Sequence, residues 1–136
     1  MPSGSPSGGP SCTPATCEWT QLGAGLDGGA SHDHSGRSVA VSGDGLTLAV
    51  GAINNDGTGA NAGHVRVYKL DLPTKSWIHM GGDVDGKASY DNSGWSVSLS
   101  GGGATLTVGA PYNDGTGSSA DHVRVFQFDA ITKTWT

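Results

Sequence analysis

A single internal repeat constrains this sequence more than any other feature. Trp19, Trp77 and Trp135 follow one another at a spacing of 58 residues. With that offset, 32 of the 58 residues from 19 to 76 are identical to their counterparts in residues 77–134, and no insertion or deletion is needed. Self-similarity of this extent indicates two copies of one structural unit. We therefore expect a tail at residues 1–18, a first unit at 19–76, and a second unit within 77–136 that includes the start of a third.

Each unit shows the patterning of four short strands. Apolar residues alternate with small or polar ones, as in the pairs Val39/Val41 and Val65/Val67, and this period of two is typical of half-buried strands. The predicted strands of the first unit are Trp19–Leu22, Ser38–Ser42, Leu46–Val50 and His64–Leu70, and those of the second unit lie 58 residues later. No segment sustains a helical period. The sequence predicts an all-β fold of two tandem four-stranded antiparallel blades of the β-propeller type, without significant helix.

The number of units predicts association. A propeller needs at least about four blades to close a ring, and repeat proteins generally need about three units for stability. Trp135 and Thr136 are expected to begin the first strand of a third unit. We therefore expect the blades either to belong to a longer array or to be completed by neighbouring copies, with head-to-tail self-association as the first expectation.

Composition excludes several partners. Charged residues make up 14 % of the chain and the formal net charge is -5, which argues against nucleic acid or an anionic membrane as partner, because both require a basic patch. No run approaches the roughly 20 apolar residues of a membrane span. Cys12 and Cys17, the only cysteines, flank a short polar spacer in the Ser-, Gly- and Pro-rich tail. They predict a small disulfide in preference to a metal pair, and thus an extracellular or cell-surface location.

Three segments of each unit together resemble the FG-GAP repeat of integrin-α-like propellers. The FG-containing segment corresponds to residues 35–39 and 93–97, with Ser in place of Phe. The Gly-Ala-Pro segment corresponds to residues 51–53 and, intact, to 109–111. The closing strand corresponds to residues 63–68 and 121–126. The resemblance covers residues 19–135 and implies an adhesion-type propeller.

The calcium loop that the resemblance implies has lost its carboxylates. The segments between the two motifs are Ser42–Gly45, with one Asp, and Ser100–Gly103, with none, whereas calcium takes six to eight oxygen ligands. We predict no metal site and no cofactor. Weak candidates for cation binding are Asp56 and Asp114 in Asn-Asp-Gly segments, for which turn formation is the favoured interpretation.

Four residues are predicted to make assembly or ligand contacts: Trp95, Trp135, Arg66 and Arg124. Trp95 is singled out because its counterpart is Arg37, so it is not required by the repeat. The recurring tryptophans are expected to anchor the blades, with sugar stacking as the alternative. The recurring arginines are expected to pair with Asp27 and Asp85 or with Asp71 and Asp129, or to contact the next unit.

The function predicted from these features is structural. No nucleophile motif or acid/base pair stands out, and residues duplicated in every unit favour architecture over an active site. We predict a non-catalytic extracellular repeat protein that self-assembles head-to-tail into a filament or array. The alternative is a fragment of a closed FG-GAP-like adhesion propeller that binds a protein or a glycan.

Overall fold

The computed structural model describes residues 18–112 and 121–136. Within these residues the chain forms nine strands and no helix, which confirms the all-β prediction, and no helix there could span a membrane. The strands are β1 (Ser35–Val41), β2 (Thr47–Ala52), β3 (His64–Asp71), β4 (Ser76–His79), β5 (Val84–Asp85), β6 (Ser96–Leu99), β7 (Thr105–Ala110), β8 (His122–Asp129) and β9 (Thr134–Trp135).

The strands form two antiparallel sheets of the same design. The first has the order β1-β2-β3-β4, and β5 pairs with β3 beside β4. The second has the order β6-β7-β8-β9. The register repeats with the sequence period, since Val39 faces Val50 in the first sheet and Val97 faces Val108 in the second. This confirms two tandem blades of four antiparallel strands.

A polar turn joins the first two strands of the blade. The Ser42 hydroxyl donates to the Asp44 carboxylate at 2.6 Å and accepts from the backbone N–H of Thr47 at 3.1 Å. The same carboxylate accepts from the N–H of Leu46 at 3.0 Å. The hydrogen bond from Ser42 contributes most to lowering the pKa of Asp44. The segment that aligns with a calcium loop is thus closed by its own side chains.

The tryptophan strands close the sheets that precede them, which corrects the predicted grouping. β4, which carries Trp77, pairs with β3 in the first sheet. β9, which carries Trp135, pairs with β8 in the second, and the prediction that Trp135 and Thr136 begin a third copy of the repeat stays a prediction. The reason for the pairing is local, because a turn of only four residues, 72–75, joins β3 to β4 and favours pairing of the two strands that it connects.

The first tryptophan segment forms no strand. The predicted strand Trp19–Leu22 is wrong, and the Trp19 side chain is fully exposed. The other two tryptophan strands each pair with the long strand that comes before them in sequence.

The hydrophobic core lies between the two sheets and is shared by both units. The first unit contributes Ala49, Val65 and Val67, all without exposed surface. The second contributes Leu106, Val108 and Phe126, with Val97, Leu99 and Trp135 packed against them. Because each sheet supplies one wall, the interface between the units is the main source of hydrophobic stabilisation.

Candidate functional site

Glycine backbones meet where the two units touch. Gly51 in β2 lies against the backbone of Gly94, and a methyl group on Gly51 would overlap the Gly94 carbonyl oxygen. The Ser38 hydroxyl donates to the same carbonyl at 2.6 Å. Gly94 has a φ of +94°, which side chains rarely adopt. The close approach of the units therefore depends on the absence of side chains at these two positions.

The loop between β2 and β3 is held by the second unit through backbone hydrogen bonds. The N–H of Asn92 donates to the carbonyl of Asn61 at 3.1 Å, and that of Ser93 donates to Ala62 at 2.9 Å. The Asn92 side chain adds a bond to the carbonyl of Ile53 at 2.9 Å. These contacts fix the position of one unit on the next. Two of the three are bonds between backbone groups, which do not depend on the side chains at those positions.

The two outer faces of the blade pair carry the exposed counterparts of residues that the interface between the units buries. Val65 and Val67, on the face of the first unit that meets the second, have 0 % exposure. Their counterparts Val123 and Val125 are 65 % and 63 % exposed. We call this outer surface of the second unit the C face.

The opposite end shows the complementary pattern. Val97 and Leu99 of the second unit are half-buried against the core. Their counterparts Val39 and Val41 in the first unit are 62 % and 59 % exposed. We call this outer surface of the first unit the N face. The C face and the N face thus present the two halves of one interface at opposite ends of the molecule.

An ionic cluster surrounds Asp83, which lies between β4 and β5. Arg66 donates to both of its carboxylate oxygens, from Nε at 3.0 Å and from Nη2 at 3.3 Å. His64 Nδ1 lies 3.6 Å and His79 Nε2 lies 3.3 Å from the carboxylate. Three potentially cationic groups therefore converge on one acid in the segment between β4 and β5.

Burial and charge set the protonation of this cluster. His64 is 3 % exposed, and its burial lowers its pKa. Burial of Asp83 acts to raise its pKa, but the hydrogen bond and charge of Arg66 outweigh this effect and the pKa is lowered. His64, Asp83 and Asp85 also lie close enough to share a cation. The guanidinium of Arg66 already occupies both oxygens of Asp83, and its charge opposes metal binding there.

Trp95, one of the predicted contact residues, lies at the junction of the units. The guanidinium of Arg37, its counterpart in the first unit, lies 4.4 Å from the centre of the indole. The ring of Tyr112 meets the indole edge-on, with centroids 5.8 Å apart. Tyr112 is 46 % exposed. Residues that differ between the repeats thus form one aromatic and cationic group.

The other three predicted contact residues all make contacts inside the molecule. Trp135 packs on Phe128, with ring centroids 5.2 Å apart, and its Nε1 donates to the carbonyl of Met80 at 2.9 Å. Arg124 donates from Nη1 to the carbonyl of Asp85 at 2.8 Å, and burial lowers its pKa. Arg66 binds Asp83, which lies in the next unit and is not among the four acids named for the two arginines, because Asp83 immediately precedes the short strand β5 that pairs with the start of β3.

The weak cation candidates fall partly outside the described residues. Asp56 is exposed and accepts the N–H of Asn61 at 2.7 Å, a bond within its own loop. Asp114, Cys12 and Cys17 lie outside the described residues, so the predicted disulfide stays a prediction.

A comparison with known families identifies the repeat. The model of the FG-GAP repeat family matches residues 24–68, which include β1, β2 and most of β3. Residues 24–68 therefore contain an FG-GAP repeat. The match lies within the first unit, and the second unit is related to the first by the 58-residue period and the same strand register. A search of the curated proteins returned no match.

The glycine contacts give the FG-GAP motifs of this chain a structural role. Gly94 belongs to the FG-type segment of the second unit, and Gly51 belongs to the GAP segment of the first. The two segments are distant in sequence, but they touch across the interface. The glycines of the two motifs thus act as a pair that joins consecutive repeats.

Sequence reasoning missed the cluster at Asp83 and the contact with Tyr112. Asp83 aligns with Gly25 and Tyr112 aligns with Asn54, and attention to recurring residues passes over both. Tyr112 offered a signal, because it directly follows the second Gly-Ala-Pro segment, whereas Asp83 lies 17 residues after Arg66 in the sequence and offered none.

Proposed function

We propose that this chain is a non-catalytic structural repeat protein of the cell surface or extracellular space, which works by stacking head-to-tail with further copies of itself. FG-GAP repeats are generally non-catalytic modules of surface proteins that interact with other proteins. The finer proposal, that the partner is the same repeat, rests on the two outer faces.

The observation that carries the proposal is the difference in burial between equivalent residues. Val65 and Val123 are identical in type and in strand position, yet one is fully buried and the other is 65 % exposed. The same holds for Val67 and Val125. The surface that covers the first pair is the N-terminal side of a following unit, and the N face of a second copy has the same strands and register.

Stacking would repeat an interface that the molecule already contains. Fully burying a valine side chain stabilises by about 1.5–3 kcal/mol, and each contact would bury Val39 and Val41 of one copy against Val123 and Val125 of another. The C face meets the N face and not itself. Such heterologous contacts grow into filaments or close into rings.

Two complementary variants test this proposal. Val39→Lys places a charge on the N face, and Val125→Lys places one on the C face. We expect sedimentation velocity to show self-association of the parent chain and monomers for each variant alone. A mixture should give a one-to-one heterodimer that does not grow, because only one intact face of each kind remains. Ile131→Lys, at a 94 % exposed turn residue, is the matched control and should associate like the parent chain.

The proposal is wrong if the parent chain sediments as a monomer at all accessible concentrations. It is also wrong if Ile131→Lys disrupts association as strongly as Val125→Lys, since the lost contact would then depend on general charge. Homodimers of either single variant would also contradict the proposal, because they would show a symmetric interface in place of a head-to-tail one.

A second candidate function, ligand binding by an adhesion-type propeller, rests on the Trp95 group. Trp95 and Tyr112 place two aromatic rings beside the cationic Arg37 at the surface, and aromatic residues with arginine are enriched at binding hot spots. Trp95→Arg restores the residue type of the first unit. Retention of blade stacking with loss of binding on a glycan array, or to a cell surface, would favour this function.

A further inference from the structure

The outer edge of β3 is filled by the segment that follows it. Beyond the β4 pairing, the N–H of Met80 donates to the carbonyl of Val67 at 2.7 Å. Further along, β5 pairs with the start of β3, and Val84 faces Val65. Residues 79–85 therefore cover an edge that would otherwise present unpaired backbone groups.

The outer edge of β8 is covered over a much shorter length. β9 pairs only with Phe128 and Asp129, and Thr136 exchanges two hydrogen bonds with Gln127 at 2.7 and 2.9 Å. Within the described part of the chain, no strand pairs with the outer edge of β8 from residue 122 to residue 126. The backbone of Val125 occupies the position at which Val67 accepts the N–H of Met80.

A segment with the matching sequence lies near the other end of the molecule. The repeat period aligns residues 21–27 with residues 79–85, including Leu22 with Met80, Leu26 with Val84 and Asp27 with Asp85. Residues 21–27 belong to no strand, and Leu22 is 45 % exposed.

The local contacts of this segment are compatible with strand pairing. The Leu22 carbonyl accepts the indole N–H of Trp77 at 3.0 Å, as the Met80 carbonyl accepts that of Trp135 at 2.9 Å. Met80 does this while its own N–H is bonded to Val67. Leu22 can therefore keep its bond to Trp77 and still offer its N–H to another strand.

We propose that the outer edge of β8 is a strand-acceptor site, and that its occupant is residues 21–27 of a second copy of this chain, paired antiparallel as residues 79–85 pair with β3. This proposal rests on head-to-tail stacking and names the segment that completes it. In the expected register Leu22 donates its N–H to the carbonyl of Val125, Leu26 faces Val123 and Asp27 faces His122.

The acceptor's own residues Thr134–Thr136 form the first part of this outer strand. They align with residues 76–78, and the incoming residues 21–27 supply the rest. Trp19 and Thr20 of the incoming chain have the same repeat positions as Trp135 and Thr136 of the acceptor. Trp135 and Thr136 already occupy those positions beside β8. Trp19 and Thr20 must therefore lie outside the added strand.

A disulfide between two chains tests the register. The carbonyl of Gly63 accepts the N–H of Gly86 at 2.8 Å. The next pair, His64 and Asp85, is therefore a non-hydrogen-bonded pair, whose Cα atoms lie about 4.5 Å apart. That separation suits a disulfide. The equivalent pair between copies is made by Asp27→Cys and His122→Cys in one chain, with Cys12 and Cys17 replaced by serine.

We expect this double variant to form covalent oligomers under mild oxidation, with the link between the two introduced cysteines identified by mass spectrometry. The control combines Asp27→Cys with Gln127→Cys, whose position on the same strand is five residues, or about 17 Å, away. The control should remain mostly uncrosslinked. Equal crosslinking in both, or none in either, would overturn the proposal.

A proline substitution separates strand addition from stacking alone. Leu22→Pro removes the N–H that would donate to Val125 but keeps the carbonyl that accepts from Trp77, whereas Leu22→Met retains both and introduces the residue of the second unit. We expect Leu22→Pro to weaken association about tenfold and Leu22→Met to leave it unchanged, with circular dichroism verifying the fold of both. If Leu22→Pro associates as strongly as the parent chain, and the disulfide between chains does not form in the double cysteine variant, strand addition is overturned and stacking is left intact. A parent chain that stays monomeric would overturn both.

Discussion

Gly36 and Gly94 occupy equivalent positions in the two units and have nearly the same backbone conformation, with φ of 90° and 94°. Their surroundings differ. A Cβ atom on Gly36 would meet no atom within 4 Å, whereas on Gly94 it would lie 2.7 Å from the His64 carbonyl oxygen. Gly36→Ala should therefore destabilise through backbone strain alone, by about 1–2 kcal/mol. Gly94→Ala should cost about 1–3 kcal/mol more, because it also separates the units.

Urea unfolding of both variants at a concentration where the chain is monomeric measures the difference. Equal losses of unfolding free energy in the two variants would show that the close contact of Gly94 with the first unit does not contribute to stability. The sequence alone indicated both glycines through their motif but did not distinguish them, because the distinction depends on which unit has another unit packed against that side.

At the scale of the strand, the indoles of Trp77 and Trp135 each bond to the carbonyl of a residue 55 positions earlier. Trp19, with the same place in the repeat, is fully exposed. Trp135→Phe should lower the free energy of unfolding by about 0.5–1.5 kcal/mol through loss of one hydrogen bond, plus a contribution from lost packing on Phe128.

Trp19→Phe is the matched control and should leave the stability of the monomer unchanged. Chemical denaturation followed by far-UV circular dichroism measures both variants without relying on tryptophan emission. A loss for Trp19→Phe as large as that for Trp135→Phe would contradict the structural difference between these two tryptophans.

The strands β1, β2 and β3 could be predicted from the sequence to within a few residues. Their valines alternate, and the polar segment at residues 42–45 marks the turn. The grouping of β4 could not be predicted in the same way, because a sequence period fixes the spacing of equivalent strands but not the unit in which each one pairs. The turn at residues 72–75 decided that question, since it makes pairing with β3 local.

At the scale of the whole molecule, identical residues have different environments according to the unit that contains them. Val65 and Val123 cannot be distinguished by pattern, and only the stacking of one blade on the other separates a buried residue from an exposed one. The exposure of the N face and the C face is thus a property of the pair of blades and not of either repeat alone.

The cluster around Asp83 makes the stability of the whole molecule depend on pH. The pKa of His64 is lowered in the folded chain, so the unfolded chain binds a proton first as the pH falls below about 6.5. The stability from neutral His64 is fully present above that value and is lost as the pH falls toward the lower, folded pKa. The pKa of Asp83 is also lowered, so its contribution is lost only below its ordinary value of 3.8.

We therefore expect the free energy of unfolding to fall between pH 7 and pH 5, by up to about 1.4 kcal/mol per pH unit from His64. His64→Gln should flatten this part of the profile, because it removes the buried group that takes up the proton on unfolding. His122→Gln changes the equivalent residue, which is only half-buried, and is the matched control for the loss of a histidine at this strand position. Urea unfolding at half-unit steps of pH measures all three profiles, and an unchanged slope in His64→Gln would show that another group governs the acid response.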